Sequence, residues 1–137
     1  MAEKVSNTKW FGMALQALIV LADQDGLCPS GKMAEKLESQ SAFLRKILTH
    51  LVKADLIQAQ EGRYGGYSLV KKPEEITLAE VYDAMKAENS PTGFLGVESK
   101  ECFPPPTREA LFQLKDEMEG WIVDGLKQKT VADLLNK

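Results

Sequence analysis

Apolar residues surround the stretch 9–22 on nearly every side, with Trp10, Phe11, Met13, Leu15, Leu18, Ile19 and Leu21 closely spaced. A helix that is apolar almost all round predicts a central, buried element. Asn7 or Thr8 can cap its start, and Asp25-Gly26 closes the segment. Cys28-Pro29-Ser30 reads as a short extended link. Over 31–38 the pattern becomes amphipathic: Met33, Ala34 and Leu37 share one helical face, while Lys32, Glu35, Lys36 and Glu38 face water. Ser39-Gln40-Ser41 reads as a turn with capping residues. A second amphipathic helix follows over 41–54. Its apolar stripe is Phe43, Leu44, Ile47, Leu48, Leu51 and Val52, and its other face carries Ser41, Ala42, Arg45, Lys46, Thr49, His50 and Lys53.

The period then drops. Residues 56–60 are short and extended, Glu61-Gly62-Arg63-Tyr64-Gly65-Gly66 is a glycine-rich turn, and 67–70 alternate as a strand does. Helix, short turn, helix and hairpin in that order predict a winged helix-turn-helix, mainly α with a small β-hairpin wing. Thr77-Leu-Ala-Glu80 is a capping box that opens a further helix with Leu78, Val81, Tyr82 and Met85 on one side. Residues 89–106, rich in Pro and Gly, read as a loop or linker.

From Thr107, read as a cap, a long helix is expected to about Lys129. Its Leu111, Leu114, Met118, Trp121 and Gly125 fall on a 3-4-3-4 spacing, the pattern of a coiled-coil seam. Phe112, Ile122 and Val123 lie outside that row. One seam can pack on the chain's own body, so the surplus asks for another partner. Thr130-Val-Ala-Asp133 is a further possible cap before a short tail. The expected organisation is a winged-helix domain over 1–88, a linker over 89–106, and a dimerisation helix with its tail over 107–137.

Composition narrows the class. With 44% apolar and 27% charged residues over 137 positions, the chain is an ordinary globular one. The longest apolar stretch, 10–22, is interrupted by Gln16 and too short for a bilayer, and the N-terminus lacks a secretory pattern. A cytoplasmic location without membrane contact is therefore expected. Two cysteines, Cys28 and Cys102, make no disulfide framework. The net charge of −3 hides an asymmetry: residues 1–73 sum to +3 and residues 74–137 to −6. Only the first half is suited to meet a polyanion.

No catalytic or metal motif accompanies the single histidine, His50, so an enzyme is not expected. A helix fits the DNA major groove and its N-terminal residues reach base edges. Ser41, Ala42 and Arg45 are therefore the expected base-reading positions, and Lys46, Thr49 and His50 the phosphate contacts. Arg63 and Tyr64 at the hairpin tip can enter a minor groove or clamp a backbone. Double-stranded DNA is the expected partner. A solvated helix face and an ordinary exposed turn remain the plain alternatives. So does a winged helix that docks a protein and does not bind DNA, which Glu61 and the acidic pI near 5.3 favour.

Phe11-Gly-Met-Ala-Leu-Gln-Ala-Leu-Ile-Val-Leu-Ala22, Met33-Ala34-Glu35, Phe43-Leu-Arg-Lys-Ile-Leu48 with Leu51, and Lys53-Ala-Asp-Leu-Ile57 form an ordered series. Gly65-Gly66-Tyr67-x-Leu69 and Pro73-Glu-Glu-Ile-Thr-Leu78 leading to Val81 extend it. On these residues the chain resembles the Rrf-two family of bacterial winged-helix transcription regulators. The resemblance implies a homodimeric repressor of an imperfect palindrome. Its dimer interface would be the long helix, through Leu111, Leu114, Met118, Trp121, Ile122 and Gly125.

Iron–sulfur members of that family carry three cysteines in the loop before this helix, whereas this chain has Cys102 alone there. It is thus similar to the cluster-free members, with no cofactor and no metal. Cys102, in the segment Cys102-Phe103-Pro104, becomes the candidate sensor, with an inert packing thiol as the alternative. The effector is not named by the sequence. Two departures stand out: Glu61 occupies a position where relatives often have arginine, and Gln40-Ser41 replaces an Asn-Pro-like opening of the recognition helix.

Overall fold

The computed structural model describes residues 7–24, 26–86 and 103–135. The first helix, α1 (Asn7–Ala22), is central because its apolar positions wrap most of its circumference. It touches α2 (Ser30–Leu37), α3 (Ser41–Lys53), β2 (Gly66–Leu69), α4 (Leu78–Lys86) and α6 (Val131–Leu135). Trp10, Ala14, Ala17, Leu18 and Leu21 are its buried residues. The two alanines let neighbouring backbones come close, a role that a count of large side chains overlooks. The helix already includes Asn7 and Thr8, so neither is the cap that was expected, and the residues before Asn7 lie outside the described ones. Asp25 lies outside the described residues.

A turn over 38–40 separates α2 from α3. Glu38 closes α2 in the left-handed region at φ 51°, and the Ser39 N–H reaches back to the Ala34 carbonyl at 2.9 Å. Neither serine caps α3 as expected. Gln40 is the N-cap without a side-chain bond, and the Ser39 hydroxyl instead donates to the Gln40 carbonyl. Leu44, Ile47, Leu48 and Leu51 of α3 are fully buried. Each such side chain contributes about 1.5–3 kcal/mol of transfer free energy, so the helix is held firmly by one face.

The wing is an antiparallel pair, β1 (Ile57–Gln60) with β2, in the register Ile57↔Leu69 to Gln60↔Gly66. β1 starts one residue later than expected, after Leu56, and β2 keeps the expected length but is shifted by one, starting at Gly66 and ending before Val70. β2 also bridges to Cys28: the Cys28 N–H donates to the Tyr67 carbonyl at 3.0 Å and receives the Tyr67 N–H in return at 2.9 Å. This crowding explains the paired glycines. A Cβ at Gly65 would lie 2.0 Å from the Gln60 carbonyl oxygen, and one at Gly66 would lie 2.7 Å from the Cys28 backbone. Cys28 itself is fully buried.

A 3₁₀ turn (Pro73–Glu75) leads into α4, whose capping box forms as expected. The Glu80 carboxylate accepts the Thr77 N–H at 3.0 Å, and the Thr77 hydroxyl accepts the Glu80 N–H at 3.2 Å. The long helix α5 (Pro105–Leu126) starts two residues before Thr107 and ends three residues before Lys129. The prolines expected in the linker open this helix instead, because proline at the first positions gives up only amide donors that are unpaired there anyway.

After α5 the chain returns. Thr130 pairs with Thr77 across an isolated antiparallel bridge, the Thr130 N–H donates to the Asp133 carboxylate at 2.8 Å, and the tail folds as α6. Val131 is fully buried in the main core.

A candidate nucleic-acid interface on the third helix and the wing

Because Leu44, Ile47, Leu48 and Leu51 all turn inward, helical periodicity puts Ser41, Ala42, Arg45, Lys46, Thr49 and Lys53 on the outward side, and all six are exposed. Within this row the Thr49 hydroxyl donates to the Arg45 carbonyl at 2.9 Å, so its single proton is committed to the helix backbone. His50 differs from the others. It is half-buried, and its ring stands edge-on to Trp10 at 5.4 Å between centroids. Trp10 also meets Phe43 edge-to-face at 5.6 Å. The indole of α1 therefore touches α3 at two points, Phe43 and His50. Reading outward-facing residues does not find Trp10; its only signal is its place in a central apolar helix. Among the described residues the buried Trp10 Nε1 has no hydrogen-bond partner.

At the hairpin turn Glu61, Gly62, Arg63 and Tyr64 are all exposed, and Tyr64 is 82% exposed, the most open large apolar residue described. Gly62 supplies the positive φ of 110° that the turn requires. β1 packs against α3, so the hairpin and the exposed row belong to neighbouring elements. The exit of the wing is tied down as well. The Lys71 ammonium meets the Glu80 carboxylate at 2.7 Å, and that bond holds the Lys71 pKa above its ordinary value. Burial pushes the Glu80 carboxyl up, but hydrogen bonds from Lys71 and Thr77 outweigh it and leave the carboxyl below its usual range.

No residue of α5 is buried. Half-buried positions recur at 108, 111, 112, 115, 118, 119, 122, 123 and 126, and every other position of the helix is exposed. The expected seam is split by this arrangement. Leu111 and Met118 are half-buried together with Phe112, Ile122 and Val123, whereas Leu114 (38%), Trp121 (63%) and Gly125 are exposed. Phe103, just before the helix, is exposed too. Cys102 lies outside the described residues, as do residues 89–102 of the expected linker. Among the described residues no group of three or more His, Cys, Asp or Glu could hold a metal ion, and no helix is long and apolar enough to cross a membrane.

Comparisons with known proteins agree with this arrangement. The family model described as "Rrf2: Iron-dependent Transcriptional regulator" matches residues 7–137. The chain is 26% identical over 133 residues to the HTH-type transcriptional regulator CymR of Bacillus subtilis, covering 96% of this chain and 88% of that one. It is 28% identical over 130 residues to the HTH-type transcriptional regulator NsrR of Geobacillus kaustophilus, covering 93% and 88%. Among solved structures, Staphylococcus aureus CymR in its oxidized form superposes with a TM-score of 0.69 at 26% identity, covering 98% of both chains. Exposed row, paired-glycine wing and family match converge, and the chain belongs to the Rrf2 family of helix-turn-helix transcriptional regulators, which are DNA-binding proteins and not enzymes.

Proposed function

We propose that the chain acts as a homodimeric repressor that binds an imperfect palindrome, one recognition helix per half-site, with half-sites about one DNA turn or roughly 34 Å apart. The observation that carries this reading is the exposed row on α3, set on a helix whose opposite face is locked into the core. In this reading Arg45, one turn into the helix, bonds a guanine edge through two parallel hydrogen bonds, with Ser41 and Ala42 packed beside it. Lys46 and Lys53 neutralise phosphates, and Arg63 and Tyr64 place the wing on the backbone. Thr49, with its proton spent on Arg45, and His50, resting on Trp10, serve mainly to shape that face.

Dimerisation is supported by α5. One side of this 22-residue helix is half-buried and none of it is fully buried, and on its exposed side Leu114 and Trp121 are the residues a second copy covers best. Such a regulator works beside the chromosome, in the cytoplasm. With Cys102 as the one cysteine in the segment leading into α5, a cluster held by three thiolates of that segment has too few ligands, which supports a cofactor-free protein. Cys102 is then the candidate input, by oxidation or alkylation; the relative solved in an oxidized form makes thiol chemistry the first signal to try. The competing reading, a wing domain that docks a protein, draws on exposed Glu61 in the wing turn.

One experiment separates the two readings: selection of genomic fragments by the purified protein, followed by gel shifts at several salt concentrations. The repressor reading expects one or a few enriched upstream regions and affinity that falls steeply with salt. Enrichment no better than random fragments refutes it.

A further inference from the structure

Between α5 and α6 the chain is bonded to the segment that opens α4. The Leu78 N–H donates to the Lys129 carbonyl and the Val131 N–H donates to the Ile76 carbonyl, both at 2.9 Å. Leu78 and Val131 are the first residues of their helices, so each bond uses an amide that a helix start would otherwise leave unpaired. The junction is enclosed: Ile76 and Val131 are 0% exposed and Leu78 is 4% exposed. Each side is stiffened by its own cap, Thr77 with Glu80 and Thr130 with Asp133.

There is no slack between the junction and α5. The Lys127, Gln128 and Lys129 amides donate to the Val123, Gly125 and Leu126 carbonyls, and Leu126 packs on the core. The C-terminal end of α5 is therefore joined to the wing domain through continuous hydrogen-bonded backbone.

We propose that this strap, 76–78 against 129–131, is the determinant of half-site spacing: it holds α5 at a set angle to α3, and so decides how far apart two recognition helices stand in the dimer. The inference rests on the dimeric DNA-binding reading above. One base pair added between half-sites turns one of them by roughly 34° and moves it by about 3.4 Å, so a stiff strap tolerates one spacing and a loose one tolerates several.

Val131→Pro isolates the strap. Proline at the first position of a helix is well accepted but removes the N–H that bonds Ile76. Val131→Ala keeps that N–H but removes two methyl groups, more apolar side chain than proline gives up, so it serves as the control for lost packing. The probe is the duplex that the parent enriches from a randomised library, together with copies whose half-sites are moved by one or two base pairs either way, and a single half-site. The expected result is a sharp spacing optimum for parent and Val131→Ala, a flattened profile for Val131→Pro, and equal affinity of all three for the single half-site. A parental profile in Val131→Pro overturns the proposal.

If Val131→Pro does not fold, two glycines inserted between Gln128 and Lys129 loosen the same link and are held to the same outcomes. Hydrogen exchange in the parent tests the strap without DNA. The Leu78 and Val131 amides should exchange as slowly as the core amide of Leu48, and exchange at the rate of an unprotected peptide overturns the strap. A parent that enriches no duplex sinks the regulator reading instead, and the exchange rates then decide the strap by themselves.

Discussion

Trp121→Asp is the most direct perturbation of the proposed dimer. Trp121 is 63% exposed on a helix without a single buried residue. An aromatic side chain of this size offers up to about 250 Å², so roughly 160 Å² of Trp121 is open. At about 25 cal/mol per Å² its complete coverage is worth about 4 kcal/mol per protomer. Ordering costs and incomplete coverage halve that to about 2 kcal/mol, the size of an interface hot spot.

In a two-fold interface each substitution acts twice, giving about 4 kcal/mol, or roughly a thousandfold in the dimer dissociation constant. Aspartate adds the cost of burying an unpaired charge. The α5 helix keeps its fold-side contacts, so the far-ultraviolet circular dichroism should be unchanged. Sedimentation velocity over a concentration series is the assay. A parent dimeric at micromolar concentration and a monomeric Trp121→Asp are expected. A monomeric parent, or a variant that dimerises as tightly as the parent, refutes the reasoning.

Arg45→Ala should cost about 1–3 kcal/mol on the preferred duplex and little on random DNA, whereas Lys46→Ala should weaken both alike and flatten the salt dependence; indistinguishable profiles for the two variants would remove base readout from Arg45. Glu80→Ala breaks the box at the start of α4 and should cost about 1 kcal/mol in urea unfolding, while Glu80→Gln keeps the box and loses only the charge. Since the folded Glu80 carboxyl lies below its usual range, the parent's advantage over Glu80→Gln should be complete above the unfolded value near 4.3 and fade as pH falls through the folded one; an advantage that grows on acidification contradicts the assignment. The purified protein should be colourless after anaerobic iron and sulfide treatment, and peroxide should lower DNA affinity in the parent but not in Cys102→Ser; equal affinity in all four samples makes Cys102 a packing residue.

Local rules were enough for much of this molecule. Helical period and glycine punctuation located α1, α2, α3 and the hairpin to within one or two residues, because an amphipathic stripe and a steric requirement for glycine are properties of short windows. The capping box at Thr77 was legible for the same reason, since its partner is three residues away. The outward row of α3 followed from the position of its inward row.

What only the tertiary structure decided involves residues far apart in the chain. Trp10 meets His50 across 40 positions of sequence and leaves that ring half-buried, unlike its exposed neighbours on α3. Gly66 is required by the Cys28 backbone lying against it, not by the turn. The strap joins 76–78 to 129–131 through main-chain hydrogen bonds, which carry no side-chain signature and so leave no pattern in the sequence. The division of the α5 seam into half-buried and open residues has the same origin. A 3-4 spacing marks which side chains share a face, but the direction in which that face points is set by how the helix is fastened to the rest of the fold.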